Sequence, residues 1–174
     1  MTLDTPHLRL RPFSAESLLA LIAGERQFAE QFGLPLAAGL RGMFTSDDVS
    51  PGWLEQLRAS QGVDPWLHGF AVVHRDEDLV IGSAGFKGPP DEEGAVEIAY
   101  GIAPAYERRG YATEAAAALV AFAFADARVR LVRAHTLPTA NASTRVLTKC
   151  GFAHVGEVID PEDGRVWRWE KASL

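Results

Sequence analysis

Two arginines, Arg108 and Arg109, stand directly before Gly110, and an apolar, alanine-rich run reaching Ala127 follows. That is the composition of a turn entering a helix. The first N–H groups of a helix lack intrahelical acceptors, and that end carries partial positive charge. Such a turn can cradle an anion, phosphate above all. Gly110 admits a positive φ or an unobstructed backbone, and the arginines can pair with phosphate oxygens. Upstream, on the strand expected over Ala95–Ile102, Glu97 shares a face with Ala99 and Gly101. Val96, Ile98, Tyr100 and Ile102 occupy the other face. An acid among such small residues leaves room for a ligand to lie against the strand. A bulge, common beside sites, would shift that parity.

Other chemistries find little support. The chain has no GxxxxGK[ST] and no GxGxxG after a strand. It has no HExxH or Cys/His cluster, so no metal is expected, and no GxSxG nucleophile elbow. The histidines are scattered, and His135 on a strand reads as structural. The single cysteine, Cys150, cannot form an internal disulfide and reads as a buried small hydrophobe. With no secretory pattern in MTLDTPHLRLRPF, the expected location is cytoplasmic. No run approaches the ~20 apolar residues of a membrane span. A net charge of −6 argues against nucleic-acid binding, which needs a basic footprint. The acidic stretches Asp76–Asp78 and Asp91–Glu93 read as solvated turns.

The elements that must hold this turn and strand follow from periodicity. His7–Arg11 alternates as a half-buried strand, and Ser14 can cap a helix through Ser17–Ala23. A second helix covers Glu25–Phe32 and stops at Gly33. Leu34–Gly52, with Asp47 and Asp48, reads as a long loop or broken helix before a helix over Trp53–Ser60. Loops of that length are often functional covers, so this region is the expected acceptor side. Phe70–His74 and Leu79–Ala84 form a hairpin, with a bulge or close backbone approach at Gly82 and Gly85. After the long helix come a strand over Arg130–Thr136, with Leu131 alternating against charged neighbours, and a short helix over Ala142–Lys149. A closing hairpin, Phe152–Ile159 and Arg165–Glu170, turns around Pro161–Gly164. No repeat or linker divides the chain, so residues 1–174 are expected to form one α/β or α+β domain.

EIAYGIAPAYERRGYATEA followed by NASTRVLTKCGF resembles the two signature segments of the GNAT N-acetyltransferases. LRLRPF near the start and the hairpin after CGF are similar to the branch of ribosomal-protein N-terminal acetyltransferases of the RimJ/RimL kind. The resemblance implies a mixed, mostly antiparallel sheet with helices on both faces, splayed between Ala95–Ile102 and Arg130–Thr136. It implies acetyl-coenzyme A with its pyrophosphate on Arg108, Arg109, Gly110, Tyr111, Ala112 and Thr113, and its pantetheine arm along Tyr100 to Ile102. Asn141 matches the asparagine that contacts that arm, although it also reads as a helix N-cap. Ser143 and Lys149 match positions beside the thiol and on the following helix. The family pattern begins Gln/Arg-x-x-Gly-x-Gly/Ala; here Glu107 takes the first place and is expected not to face the pyrophosphate.

Acetyl transfer from a thioester to an amine requires a neutral amine, donors for the developing oxyanion and a route out for the thiolate. Glu97, directly or through water, is the candidate base. The N–H near Tyr100 is a candidate oxyanion donor. Relatives often carry a tyrosine four residues before the second-motif glycine, where this chain has Leu147, leaving Ser143, Asn141 or water to serve. The acceptor is a primary amine, a protein N-terminus or a small molecule, and the acidic balance mildly favours a cationic one. Relatives are often dimers, which raises a homodimer here. A non-catalytic acyl-coenzyme A sensor, or a transferase with another acyl donor or acceptor, are the rival readings.

Overall fold

The computed structural model describes residues 1–45 and 51–173; Asp47 and Asp48 lie outside the described residues. Near the N-terminus come β1 (Leu3–Asp4), β2 (Leu8–Pro12) and five helices, α1 (Ala15–Ala23), α2 (Glu25–Phe32), α3 (Gly42–Thr45), α4 (Pro51–Ala59) and α5 (Pro65–His68). Then follow β3 (Phe70–His74), β4 (Leu79–Phe86), β5 (Ala95–Ile102), a 3₁₀ turn (Pro104–Tyr106) and α6 (Tyr111–Ala125). The chain closes with β6 (Leu131–Thr136), α7 (Ala142–Lys149), β7 (Ala153–Asp160) and β8 (Gly164–Ala172).

One sheet runs β1-β2-β3-β4-β5-β6-β8-β7. Every neighbouring pair is antiparallel except β5–β6. That parallel pairing covers only Ala95–Glu97 against Leu131–Arg133, and the two strands then part. Phe70, Ala71, Val72 and Val73 are all buried, as strands covered on both faces must be. α6 supplies part of one cover: Ala115, Ala116, Leu119 and Ala123 are fully buried, and their small size lets the helix lie close to β5. Thr5 and His7 bond the Glu114 carboxylate, tying the β1–β2 turn to the first turn of α6. Around α1 and α2, Phe13 packs against Phe28, Phe32 and Phe44. Ser14 and Ser17 form the capping box that starts α1.

Some local expectations shift. α1 begins at Ala15, two residues early, because the capping box reaches from Ser14 to Ser17. β5 pairs with β4 in unbroken register, so the parity of Glu97, Ala99 and Gly101 stands. The irregularity lies instead in β4, whose register against β3 slips at Val72/Val73 beside Gly82. The buried face of β6 is Val132, Ala134 and Thr136, while Leu131 shares its side with Arg133 and His135.

Candidate active site

Gly110 caps α6 in the left-handed region (φ 85°) with no heavy atom near where a Cβ would stand. The first intrahelical bond at this end is Glu114 N to Gly110 O, so the N–H groups of Tyr111, Ala112 and Thr113 have no acceptor within the helix. Ala112 and Thr113 open on a cavity of about 800 Å³. Arg108, Gly110, Ala112, Thr113, Ser143 and Lys149 line it, together with Tyr100 to Ile102. Free helix-terminal donors and three cations, Arg108, Arg145 and Lys149, fit a phosphorylated ligand. Arg145 escaped the sequence reading, although it stands one helical turn before Lys149.

Strand parity gives the same cavity a second set of donors and acceptors. Lys87 N donates to Glu97 O, and Ala103 N to Ile81 O. Odd-numbered β5 residues therefore face β4 with their backbone groups. Ile98, Tyr100 and Ile102 direct theirs away from β4, toward the side where β6 has departed. A linear amide-bearing chain could add there as a strand does. Burial pushes the Tyr100 hydroxyl up to about 12; a bond with Ser143 pulls it back, and Cys150 pushes it further up. It therefore stays protonated near neutral pH.

The other expected site residues are placed as follows. The Arg109 guanidinium lies over the Tyr106 ring, 5.3 Å from its centroid, and Arg109 does not line the cavity. The Tyr111 hydroxyl bonds His74 Nε2 (3.1 Å) and its ring packs on His74, so only its backbone remains for a ligand. Glu107, the residue that ends the 3₁₀ turn, does line the cavity. Asn141 is the N-cap of α7: its Oδ1 accepts from Thr144 N (3.0 Å), and it is not a lining residue. The carbonyl at the end of α7 is met by Lys171, whose Nζ donates to Cys150 O (2.7 Å), leaving Lys149 to the cavity. The Cys150 thiol is half-buried, which raises its pKa.

A second cavity, of about 300 Å³, lies over the small-residue face of β4 and β5, at Ser83, Gly85, Ala99 and Gly101. Phe13, Phe44, Trp53 and Leu67 wall it, so the poorly periodic region after Gly33 does reach this face. Met43, Tyr100 and Gly101 line both cavities. A Cβ at Gly101 would meet the Met43 methyl group, the mobile end of a flexible side chain, so Met43 lies directly against this strand face.

Glu97 lines neither cavity. It sits two residues before Ala99, where β5 and β6 part. Lys87 Nζ lies 3.0 Å from its Oε2, and His135 Nδ1 3.1 Å from the same oxygen. Arg168 Nε donates to His135 Nε2 (3.1 Å), which places the ring proton on Nδ1, facing Glu97 but outside hydrogen-bond angles. Burial opposes the Lys87 charge, yet the bond to Glu97 and the charges of Glu97, Asp163 and Asp160 outweigh it and raise the ammonium pKa. Sequence alone offered no signal for Lys87 or for this use of His135, because only the register brings them together.

The GNAT acetyltransferase domain family matches residues 7–153. An N-acetyltransferase of Bacillus subtilis, YjdG, described as uncharacterised, is 28% identical over 156 residues, covering 86% of this chain and 88% of its own. Among solved structures, RimL, a ribosomal-protein α-N acetyltransferase in complex with coenzyme A, superposes with a TM-score of 0.64 at 13% identity, covering 99% of this chain and 98% of its own. Mycobacterium smegmatis RimJ, in complex with a coenzyme A disulfide, gives 0.63 at 19% identity, with 95% and 82% covered. Those likenesses establish the splayed fold, and with the domain match the chain belongs to the GNAT acetyltransferases, enzymes that transfer acetyl groups from acetyl-coenzyme A.

Proposed function

We propose that this chain acetylates a primary amine by direct attack while donor and acceptor are held in one complex. The observation that carries the reading is the meeting of a cationic cavity and an aromatic one at Met43, Tyr100 and Gly101. A donor in the first and an amine in the second would need no covalent carrier on the protein. RimL, an α-N-protein acetyltransferase, makes an α-amine a natural acceptor.

Acetyl-coenzyme A supplies the activated thioester when bound. The N–H groups of Tyr111, Ala112 and Thr113, with Arg108, would hold its pyrophosphate, and Arg145 and Lys149 add positive charge. The backbone of Tyr100 and Ile102 would align its arm, Asn141 would contact that arm through its uncommitted amide nitrogen, and the Tyr100 N–H or a neighbour would meet the oxyanion. Glu97 would receive the amine proton, its carboxylate oriented by Lys87 and His135. An α-amine, with a reference pKa of ~8, needs only modest help to lose it. The Tyr100 hydroxyl, which lines the cavity with Ser143, would offer a proton to the departing thiolate in place of the tyrosine that Leu147 replaces.

Initial rates of coenzyme A release with both substrates varied test this. Intersecting double-reciprocal lines are expected. Parallel lines would indicate a covalent acetyl-enzyme instead. Tight acetyl-coenzyme A binding with no release against any amine would favour a sensor, and faster turnover of propionyl or succinyl donors another acyl specificity.

A further inference from the structure

We infer that the acceptor carries its amine on a bulky apolar group, aromatic or branched aliphatic, which occupies the cavity over Ala99 and Gly101. This deepens the amine-acetylation reading and rests on it. Phe13, Phe44, Trp53 and Leu67 present an apolar wall, while Ala99 and Gly101 keep the floor open. An apolar cavity of roughly 150 Å³ suffices for a benzene ring. The space of about 300 Å³ therefore takes a phenyl group and its linker.

Among the described residues the cavity offers a second cation no partner. Its titratable lining groups among the described residues are His68 and Tyr100. His68 Nδ1 accepts from Asp64 N (3.0 Å), so Nε2 carries the proton and meets Ser60 Oγ (2.9 Å). Burial lowers the His68 pKa, against the opposing charges of Asp64 and Glu16, and the ring is neutral near pH 7. Tyr100 is neutral there too. An ammonium buried without a counter-charge is strongly disfavoured. Glu97 lies outside the lining, two residues before Ala99 on the same face of β5, and is the carboxylate that would meet the one reacting amine. The overall acidity of the chain therefore does not describe its acceptor site.

The test uses the full chain, acetyl-coenzyme A and coenzyme A release. Its panel is phenethylamine and leucinamide, peptides beginning with Phe, Leu or Ala, spermidine, and an N-terminally blocked lysine peptide. kcat/KM for the bulky apolar amines is expected to exceed that for spermidine and the blocked peptide about tenfold or more, the scale a filled apolar pocket supplies. Free amines faster than peptides would identify a small-molecule acceptor, and the reverse a protein N-terminus; both support the inference. In Ala99→Phe, phenethylamine turnover should fall about tenfold more than that of ethylamine, with KM for acetyl-coenzyme A and the unfolding midpoint held. Preference for spermidine or the lysine side chain, or an Ala99→Phe variant that treats both amines alike, would overturn the inference and leave amine acetylation standing. Turnover of no amine at all would overturn the acetylation reading itself.

Discussion

The two cavities that meet on β5 are built by opposite means. The larger one is mostly main chain: the first turn of α6, the open edge of β5 and a few cations from one stretch and one short helix. The smaller one is walled by large side chains, Phe13 and others from α3, α4 and α5, over a floor of small residues on β4 and β5. Backbone donors cannot be mutated away and suit a ligand that never varies. Side-chain walls can be exchanged without disturbing the sheet and suit a ligand whose shape must be selected. Glu97 stands at the edge of this division, belonging to neither lining and gripped by residues of two neighbouring strands.

The sharpest way to break that division is at Glu97. Glu97→Gln should lower kcat/KM by about 100-fold or more and move the rising limb of its pH profile upward, measured by coenzyme A release from pH 6 to 10. An unchanged profile would remove Glu97 from proton transfer and leave it a structural partner of Lys87. The larger cavity should respond next. Arg108→Ala and Lys149→Ala should each raise KM for acetyl-coenzyme A about tenfold, with the amine KM unchanged, the scale of one charge-assisted bond. A matching rise in the amine KM would mean that the two cavities are not separate.

Asn141 separates capping from binding. Asn141→Ala should lose about 1 kcal/mol of stability with the cap, whereas Asn141→Asp keeps the cap and the unfolding midpoint. A KM for acetyl-coenzyme A that rises in both variants assigns the amide a contact beyond capping; a rise in neither confines it to the helix. The smallest effect concerns Tyr100. Its folded pKa, about 12, lies above the ordinary value near 10. The neutral hydroxyl thus favours the folded state fully below pH 10, and that contribution is lost as pH rises toward 12. Against Tyr100→Phe, the wild-type chain should lose unfolding free energy across that window and not below it. The same variant should lower kcat if the hydroxyl serves the leaving thiolate.

What could be read from residues alone was local. Ser14 and Ser17 mark their capping box within four positions, and Glu25–Phe32 ends at the glycine that stops it. β5 keeps the alternation its sequence shows. Arg108, Gly110 and the apolar run after them declare a helix start, because capping, propensity and free N–H groups all depend on neighbours in the chain. The acetyltransferase resemblance was carried by those same contiguous segments.

The direction in which side chains point was decided by packing. Arg109 and Tyr111 sit in the turn that opens α6, yet Tyr106 and His74 capture them. Asn141 spends its oxygen on Thr144. His135 and Lys87 meet Glu97 only because β4, β5 and β6 lie side by side in one register. The apolar cavity has no contiguous trace, since Phe13, α3, α4, α5 and β4 meet over β5 to form it. The sequence by itself determined where a helix end and an open strand would offer backbone groups, which needs only short-range geometry. The tertiary structure alone decided which charges those groups face and what shape of cavity lies beside them, because both depend on contacts between residues far apart in the chain.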